Sequence, residues 1–140
     1  MNEQEIKNKI SEVLDQNKAG VLATVKTNKP HARYMTFFHE DFNLYTPTSS
    51  DTHKVEDIKA NPNVHVLIGY DGEGFGDAYL EVEGQVSIED SESIKEKLWN
   101  EYLEKWFDGP HDPKYIILAI KPEYIRLMNS NGEPPQEMRL

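Results

Sequence analysis

Short runs of β-forming residues follow one another along this chain with turn residues between them, and that order limits its fold more than any other feature. The clearest run is Tyr79 to Ile88. Leu80, Val82, Val86 and Ile88 recur there at the two-residue period of a strand, which predicts a long, half-buried strand. Upstream, Val21 to Lys26 is rich in β-branched and small residues. Thr27-Asn28-Lys29-Pro30 supplies turn chemistry, and a second run, Ala32 to His39, follows. This pattern predicts a β-hairpin. Phe42 to Thr46 predicts a short strand and Val64 to Tyr70 a buried one. Tyr115 to Ile120 and Tyr124 to Leu127 predict a closing strand, with Lys121-Pro122 at a bend or edge. The glycines of Asp71-Gly72-Glu73-Gly74-Phe75-Gly76 mark a flexible loop.

Three segments carry helical spacing instead. From Asn2 to Asn17, Ile6, Ile10, Val13 and Leu14 form one apolar stripe, and Gly20 is the expected terminator. A short helix carrying Val55 and Ile58 is expected behind a cap at Asp51 or Thr52, and Asn61-Pro62 stops it. Ser91 caps a predicted helix reaching Phe107, with Ile94, Leu98, Tyr102 and Trp106 on one face and Asp108-Gly109-Pro110 as its break.

About six strands in mainly hairpin order, with helices at the start, in the middle and before the last strand, predict an α+β fold. The expected form is an antiparallel barrel decorated by helices, not an alternating βαβ sheet. At 140 residues, without an internal repeat or linker, the chain reads as one domain, with 130–140 as a flexible or peripheral tail.

Composition narrows the partners. Asp plus Glu number 25 against 15 Lys plus Arg, a formal charge of −10, so nucleic acid and anionic membrane are disfavoured as main partners. No apolar run approaches a bilayer span and the N-terminus has no cationic start before an apolar stretch, which predicts a cytoplasmic protein. The chain has no cysteine. Redox chemistry would therefore have to come from a bound cofactor.

Thr48-Ser49-Ser50-Asp51-Thr52-His53-Lys54 sets hydroxyls and a cation at a strand-to-helix junction, one hairpin away from Arg33. Phosphate recognition needs this combination of fixed positive charge and neutral donors. A hydroxyl-rich loop before a helix is also common as a simple cap, so spacing alone supports both readings.

A resemblance is visible in the order Arg33-Tyr34-Met35-Thr36-Phe37, then Leu44-Tyr45-Thr46, then Ser/Thr residues before Lys54, then Ile58-Lys59-Ala60-Asn61-Pro62-Asn63-Val64. It resembles the FMN-binding split barrel of the pyridoxamine 5'-phosphate oxidase-like superfamily. Trp106-Phe107-Asp108-Gly109-Pro110-His111-Asp112-Pro113 is similar to a stretch of that superfamily's general stress protein branch. The motifs span about residues 5–128. The resemblance implies a six-stranded antiparallel split barrel that forms a homodimer, with a flavin in each cleft between subunits. It implies phosphate contacts from Arg33, Thr52 and Lys54, with His53 nearby. Tyr34, Met35 and Thr36 would lie along the ring, with backbone groups of Met35 and Thr36 at its edge. Pro47, Thr48 and Ser49 would line the cofactor, and Trp106 or Phe107 would face the flavin or the subunit seam. Aromatic rings at core spacing are also ordinary core residues, which is the competing reading for that pair. FMN is the implied cofactor, with FAD the alternative; deazaflavin and haem follow, since related split barrels differ in what they hold.

The chain departs from the vitamin oxidase itself. Tyr79 stands where that enzyme has a glutamine, and its C-terminal tryptophan and arginine box is not reproduced, so no substrate role passes to Arg126 or Arg139. No catalytic residue is assigned. Among His31, His39, His53, His65 and His111 no pair has helical metal-site spacing, so no metal is expected. Ser49 and Ser50 lack a nucleophile elbow, and Glu81 and Glu83 read as a solvated strand face, which argues against a hydrolase. Two functions remain: a flavin-dependent oxidoreductase acting with a small-molecule electron donor or acceptor, and a stress-related protein that stores, senses or buffers flavin without turnover.

Overall fold

Phe37 is the residue at which the sheet closes on itself. The computed structural model describes residues 1–73 and 77–140, so Gly74, Phe75 and Gly76 of the expected glycine loop lie outside the described residues. The strands are β1 (Ala19–Lys26), β2 (Lys29–Thr36), β3 (Phe38–Glu40), β4 (Asn43–Ser49), β5 (Asn63–Gly69), β6 (Tyr79–Glu89), β7 (Tyr115–Met128) and β8 (Gln136–Arg139). Their order in the sheet is β2-β1-β5-β6-β7-β4-β3, with β8 added to β7, and every pairing is antiparallel. β2 and β3 stand at opposite ends of that order, yet only Phe37 separates them in the chain. The sheet must therefore curl until its edges meet, as in a split barrel. Phe37 is 2% exposed, and its N–H donates to the Lys18 carbonyl at 2.7 Å.

The interior follows from strand alternation. Leu22, Val66, Ile68, Leu80, Val82, Leu118 and Ile120 point inward and are almost wholly buried. Helix α1 (Glu3–Gln16) adds Ile10, Val13 and Leu14, and α2 (His53–Ala60) adds Val55 and Ile58. β7 is covered on both faces. Ile116 and Leu118 join the barrel core, while Tyr115 and Ile117 join Leu103 and Phe107 in a second cluster outside it. That double burial explains why Tyr115 to Ile120 reads as an unbroken apolar run.

Several expectations are corrected. Gly20 does not end α1, which stops at Asn17, whose side chain donates to the Val13 carbonyl at 2.8 Å. Gly20 lies within β1, where a Cβ would come within 2.7 Å of the Leu67 carbonyl oxygen and 3.0 Å of the Phe37 ring. The expected bend at Lys121-Pro122, by contrast, coincides with an irregularity in a single closing strand. β7 runs through it, and the ladder with β6 shifts register at Glu83/Gly84, where a Cβ on Gly84 would stand 2.5 Å from the Lys121 carbonyl oxygen. Ile88 is 36% exposed and is not a core residue.

The predicted helix from Ser91 to Phe107 is two pieces, α3 (Glu92–Leu98) and a 3-10 helix (Glu101–Lys105). Asn100 causes the break by recapping the chain, since its side-chain oxygen accepts from the Tyr102 N–H at 3.0 Å. Nor is the C-terminal tail a loose end. Leu127, Arg126, Ile125 and Tyr124 of β7 pair with Gln136, Glu137, Met138 and Arg139, and Met138 is 5% exposed.

Candidate functional site

A cleft of about 880 Å³ opens where β2, β4, the start of α2 and the 3-10 helix converge. β2 contributes Tyr34, Met35 and Thr36. On β4 the side chains alternate, so Leu44, Thr46 and Thr48 turn inward while Pro47 turns toward the cleft. The 3-10 helix supplies Tyr102 and Leu103 and its C-cap residue Trp106 from the far side, and Lys54 stands at the first turn of α2. Tyr34, Tyr102 and Trp106 are 83%, 62% and 68% exposed. Three large rings held out of the core around one opening form a surface suited to covering a flat apolar group.

A second cleft of about 390 Å³ shares Pro47, Tyr102, Leu103 and Trp106 with the first, and is bounded also by Thr48, Ser49, Asp51, Phe107 and Lys114. Trp106 and Phe107 divide the roles the sequence left open. Phe107 is a core residue, 9% exposed, with its ring 5.2 Å from that of Tyr115. Trp106 faces both clefts. The Tyr115 hydroxyl donates to the Lys95 carbonyl at 2.8 Å and ties α3 to β7; burial pushes that phenol's pKa up to about 12.

Positive charge collects at the α2 end. Arg33 is partly buried, and its Nη1 donates to the Leu22 carbonyl at 3.1 Å and to Thr24 Oγ1 at 2.8 Å. Burial lowers the Arg33 pKa from its ordinary value, and Asp57 partly opposes that. Burial also lowers that of Lys54, and the nearby positive charge of Arg33 lowers it further. Among the described residues neither cation has a carboxylate within ion-pairing distance. Two partly desolvated, mutually repelling cations with Asp57 nearby but no carboxylate in ion-pairing contact form an electrostatic environment that favours an anion.

Thr52 occupies the N-cap position of α2, but its hydroxyl donates to the Ser49 carbonyl at 3.0 Å and does not cap the helix. The Val55 N–H donates to the Thr52 carbonyl at 3.2 Å, while among the described residues the His53 and Lys54 amides keep their donors for another acceptor. His53 is exposed beside them. Of the expected residues, Tyr34, Met35, Thr36, Pro47, Lys54 and Trp106 line the larger cleft, and Thr48, Ser49 and Phe107 line the smaller one with Pro47 and Trp106. Arg33, Thr52 and His53 line neither; Arg33 reaches the site through its charge on Lys54. The sequence reading missed Phe38, Tyr102, Leu103 and Asn100. The available signal was Asn100, a cap former inside a supposed helix.

Arg126 and Arg139, to which no substrate role was assigned, serve the tail. Arg126 pairs with Glu81 at 3.3 Å and Glu137 at 3.6 Å, and Arg139 stacks 4.7 Å from the Tyr124 ring centroid. Glu92 and Glu96, one turn apart on α3, meet His111 at the surface with potential ligand atoms within 4.8 Å of one another. Both ring nitrogens of His111 already face these carboxylates, at 2.6 and 3.5 Å. Among the described residues no helix is long and apolar enough to cross a membrane.

Fold and site together define a class, an antiparallel split barrel whose aromatic cleft ends in unpaired cations. The family model described as pyridoxamine 5'-phosphate oxidase matches residues 6–129, and the chain belongs to this family. It is 56% identical to general stress protein 26 of Bacillus subtilis (strain 168) over 140 residues, which cover 100% of both chains. The crystal structure of general stress protein 26 from Bacillus anthracis str. Sterne superposes with a TM-score of 0.88 at 41% identity, over 97% of this chain and 99% of that one. Two more distant structures show the fold alone. One is an FAD-binding protein from Mesorhizobium loti, at 24% identity and a TM-score of 0.67 over 84% of this chain and 88% of that one. The other is a pyridoxamine 5'-phosphate oxidase-related, FMN-binding protein from Nostoc punctiforme PCC 73102, at 19% identity and a TM-score of 0.71 over 94% and 87%.

Proposed function

We propose that this chain is a flavin-binding, stress-related protein that holds FMN in the larger cleft and acts as an oxidoreductase on a small-molecule donor or acceptor. The observation that carries the reading is the pairing of Arg33 and Lys54, two partly desolvated cations without a carboxylate partner, at one end of a cleft walled by exposed aromatic rings. A phosphate on a flat ring system fits both ends. Arg33, Lys54 and the backbone amides of His53 and Lys54 would hold the phosphate, with the Thr52 and His53 side chains beside it. Pro47 and Trp106 would flank the cofactor's body. β2 is the edge of the sheet, so alternate backbone groups around Met35 and Thr36 have no ladder partner and can meet the ring's polar edge. Bound there, the flavin would supply the hydride and electron transfer that side chains cannot.

FMN is favoured over FAD because the paired cations read one terminal phosphate, although the adjoining cleft leaves room for a longer molecule. The active form is a homodimer, since a ring resting on Tyr34 and Trp106 would otherwise remain open to water on one side. The absorbance spectrum of the purified protein, with mass identification of any released yellow ligand, tests the reading. A colourless protein that takes up neither FMN nor FAD overturns it.

One observation favours a second reading, in which flavin is stored, sensed or buffered without turnover. Arg126 and Arg139, the C-terminal arginines available to grip an anionic substrate, are engaged with Glu81, Glu137 and Tyr124. Reduction by NADH or NADPH followed by transfer to a defined acceptor separates the two. Tight flavin binding without turnover across a broad acceptor panel selects the binding protein.

A further inference from the structure

We infer that Thr24 is a positioning residue that fixes Arg33 for phosphate recognition, an inference that rests on the flavin reading above. Thr24 lies on β1 with its side chain 1% exposed, on the inward face it shares with Leu22. A buried hydroxyl costs stability unless it is hydrogen-bonded, and valine would fill this strand position with the same shape and no polar atom. The hydroxyl has a use at this position. Arg33 stands directly opposite Leu22 in the β1–β2 ladder, and His31 stands opposite Thr24, so Arg33 reaches diagonally back to the threonine.

Arg33 Nη1 donates to Thr24 Oγ1 at 2.8 Å and to the Leu22 carbonyl at 3.1 Å. These two bonds use both hydrogens of that nitrogen. The three other N–H donors, on Nε and Nη2, meet no protein acceptor among the described residues. Because a guanidinium is planar, anchoring one nitrogen in two directions sets the plane and heading of the rest. Thr24 is thus part of the anion site without touching the anion: it holds one edge of Arg33 so that the other stays free. The Leu22 carbonyl cannot be lost to a side-chain substitution, which leaves Thr24 as the adjustable half of the anchor.

The test compares FMN with riboflavin, which differs only by lacking the phosphate, using quenching of flavin fluorescence with the full-length protein. Thr24→Val should reduce the preference for FMN over riboflavin by about five- to tenfold, the worth of one hydrogen bond of ordinary strength, and leave riboflavin affinity unchanged. Thr24→Ser should restore the preference. Thr24→Ala removes the acceptor without placing a methyl against the guanidinium, and the same loss is expected of it should the valine variant not fold. An unchanged preference in the valine or alanine variant overturns the inference, as does an equal loss of both flavins, which would mark a packing effect. A wild-type protein that binds flavin but does not prefer FMN to riboflavin overturns the phosphate assignment itself, a failure seen before any variant is made.

Discussion

Lys54, proposed above to hold the cofactor phosphate, illustrates how such a residue can lower the stability of the fold that carries it. Its ammonium is partly desolvated and feels Arg33, and both effects put its folded-state pKa below the ordinary 10.5. An unfolded chain holds that proton more tightly than the folded one. The resulting penalty is therefore fully present below the folded pKa and is relieved as pH rises from that value toward 10.5. Lys54→Met should accordingly raise the melting temperature of the flavin-free protein near neutral pH, by about 1–3 °C. The gain should shrink in the alkaline window just below 10.5, and scanning fluorimetry at the two pH values would measure it. The same substitution should weaken FMN binding by about 1.5–3 kcal/mol, because it removes a charge-assisted hydrogen bond. A variant that loses stability and keeps its affinity would place Lys54 on a solvated helix face. Lys54 was legible in the sequence as a cation at a strand-to-helix junction. Thr24 was not, because its hydroxyl acquires a role only when the β1–β2 register sets Arg33 diagonally beside it.

At the scale of elements, period-two patterns located the strands well, whereas places where two backbones meet closely were hidden. Nothing local distinguishes Gly20 as a helix terminator from Gly20 as a strand residue pressed against the Leu67 carbonyl, since only the β1–β5 pairing brings that carbonyl near. Gly84 is a similar case at the β6–β7 register shift. Gly84→Ala should cost about 1–3 kcal/mol in urea unfolding, because its new methyl must displace the Lys121 backbone. The tail was misread because four residues are too short to show alternation, and its one apolar side chain is what anchors it. Met138→Ala should lose about 2–4 kcal/mol, since a nearly buried methionine leaves a cavity against α1. A loss below 0.5 kcal/mol in the same urea assay would return the tail to the periphery. The 3-10 break at Asn100 matters most for the site. An unbroken helix would have kept Tyr102 and Trp106 on its core face, and the cleft would lack one wall.

For the whole molecule, the outstanding feature is apolar surface left uncovered on an acidic protein. Tyr34 borders the larger cleft on one side and, on the other, a groove of about 510 Å³ lined also by Leu67, Tyr70 and Tyr79. Leu67 is 41% and Tyr70 54% exposed, so an aromatic band continues past the cleft onto the outer face of β1 and β5. Such a band is costly in water, and a net charge of −10 opposes association everywhere else on the surface, so a second copy is expected to pair through this uncharged strip. Light scattering after size exclusion should give twice the 16.2 kDa chain mass. Tyr34→Glu would put a carboxylate in the strip and at the cleft wall together, and should produce both a monomer and a protein with at least tenfold weaker flavin binding. Tyr70→Glu lies in the groove but not on the cleft, so it distinguishes the causes. If the cofactor is held between subunits, this second variant should also lose flavin as it dissociates, and should regain it as protein concentration is raised. A Tyr70→Glu monomer that binds FMN as tightly as the wild type, at every concentration tested, would mean that each chain closes its own cleft, and the dimer would then have no part in the site.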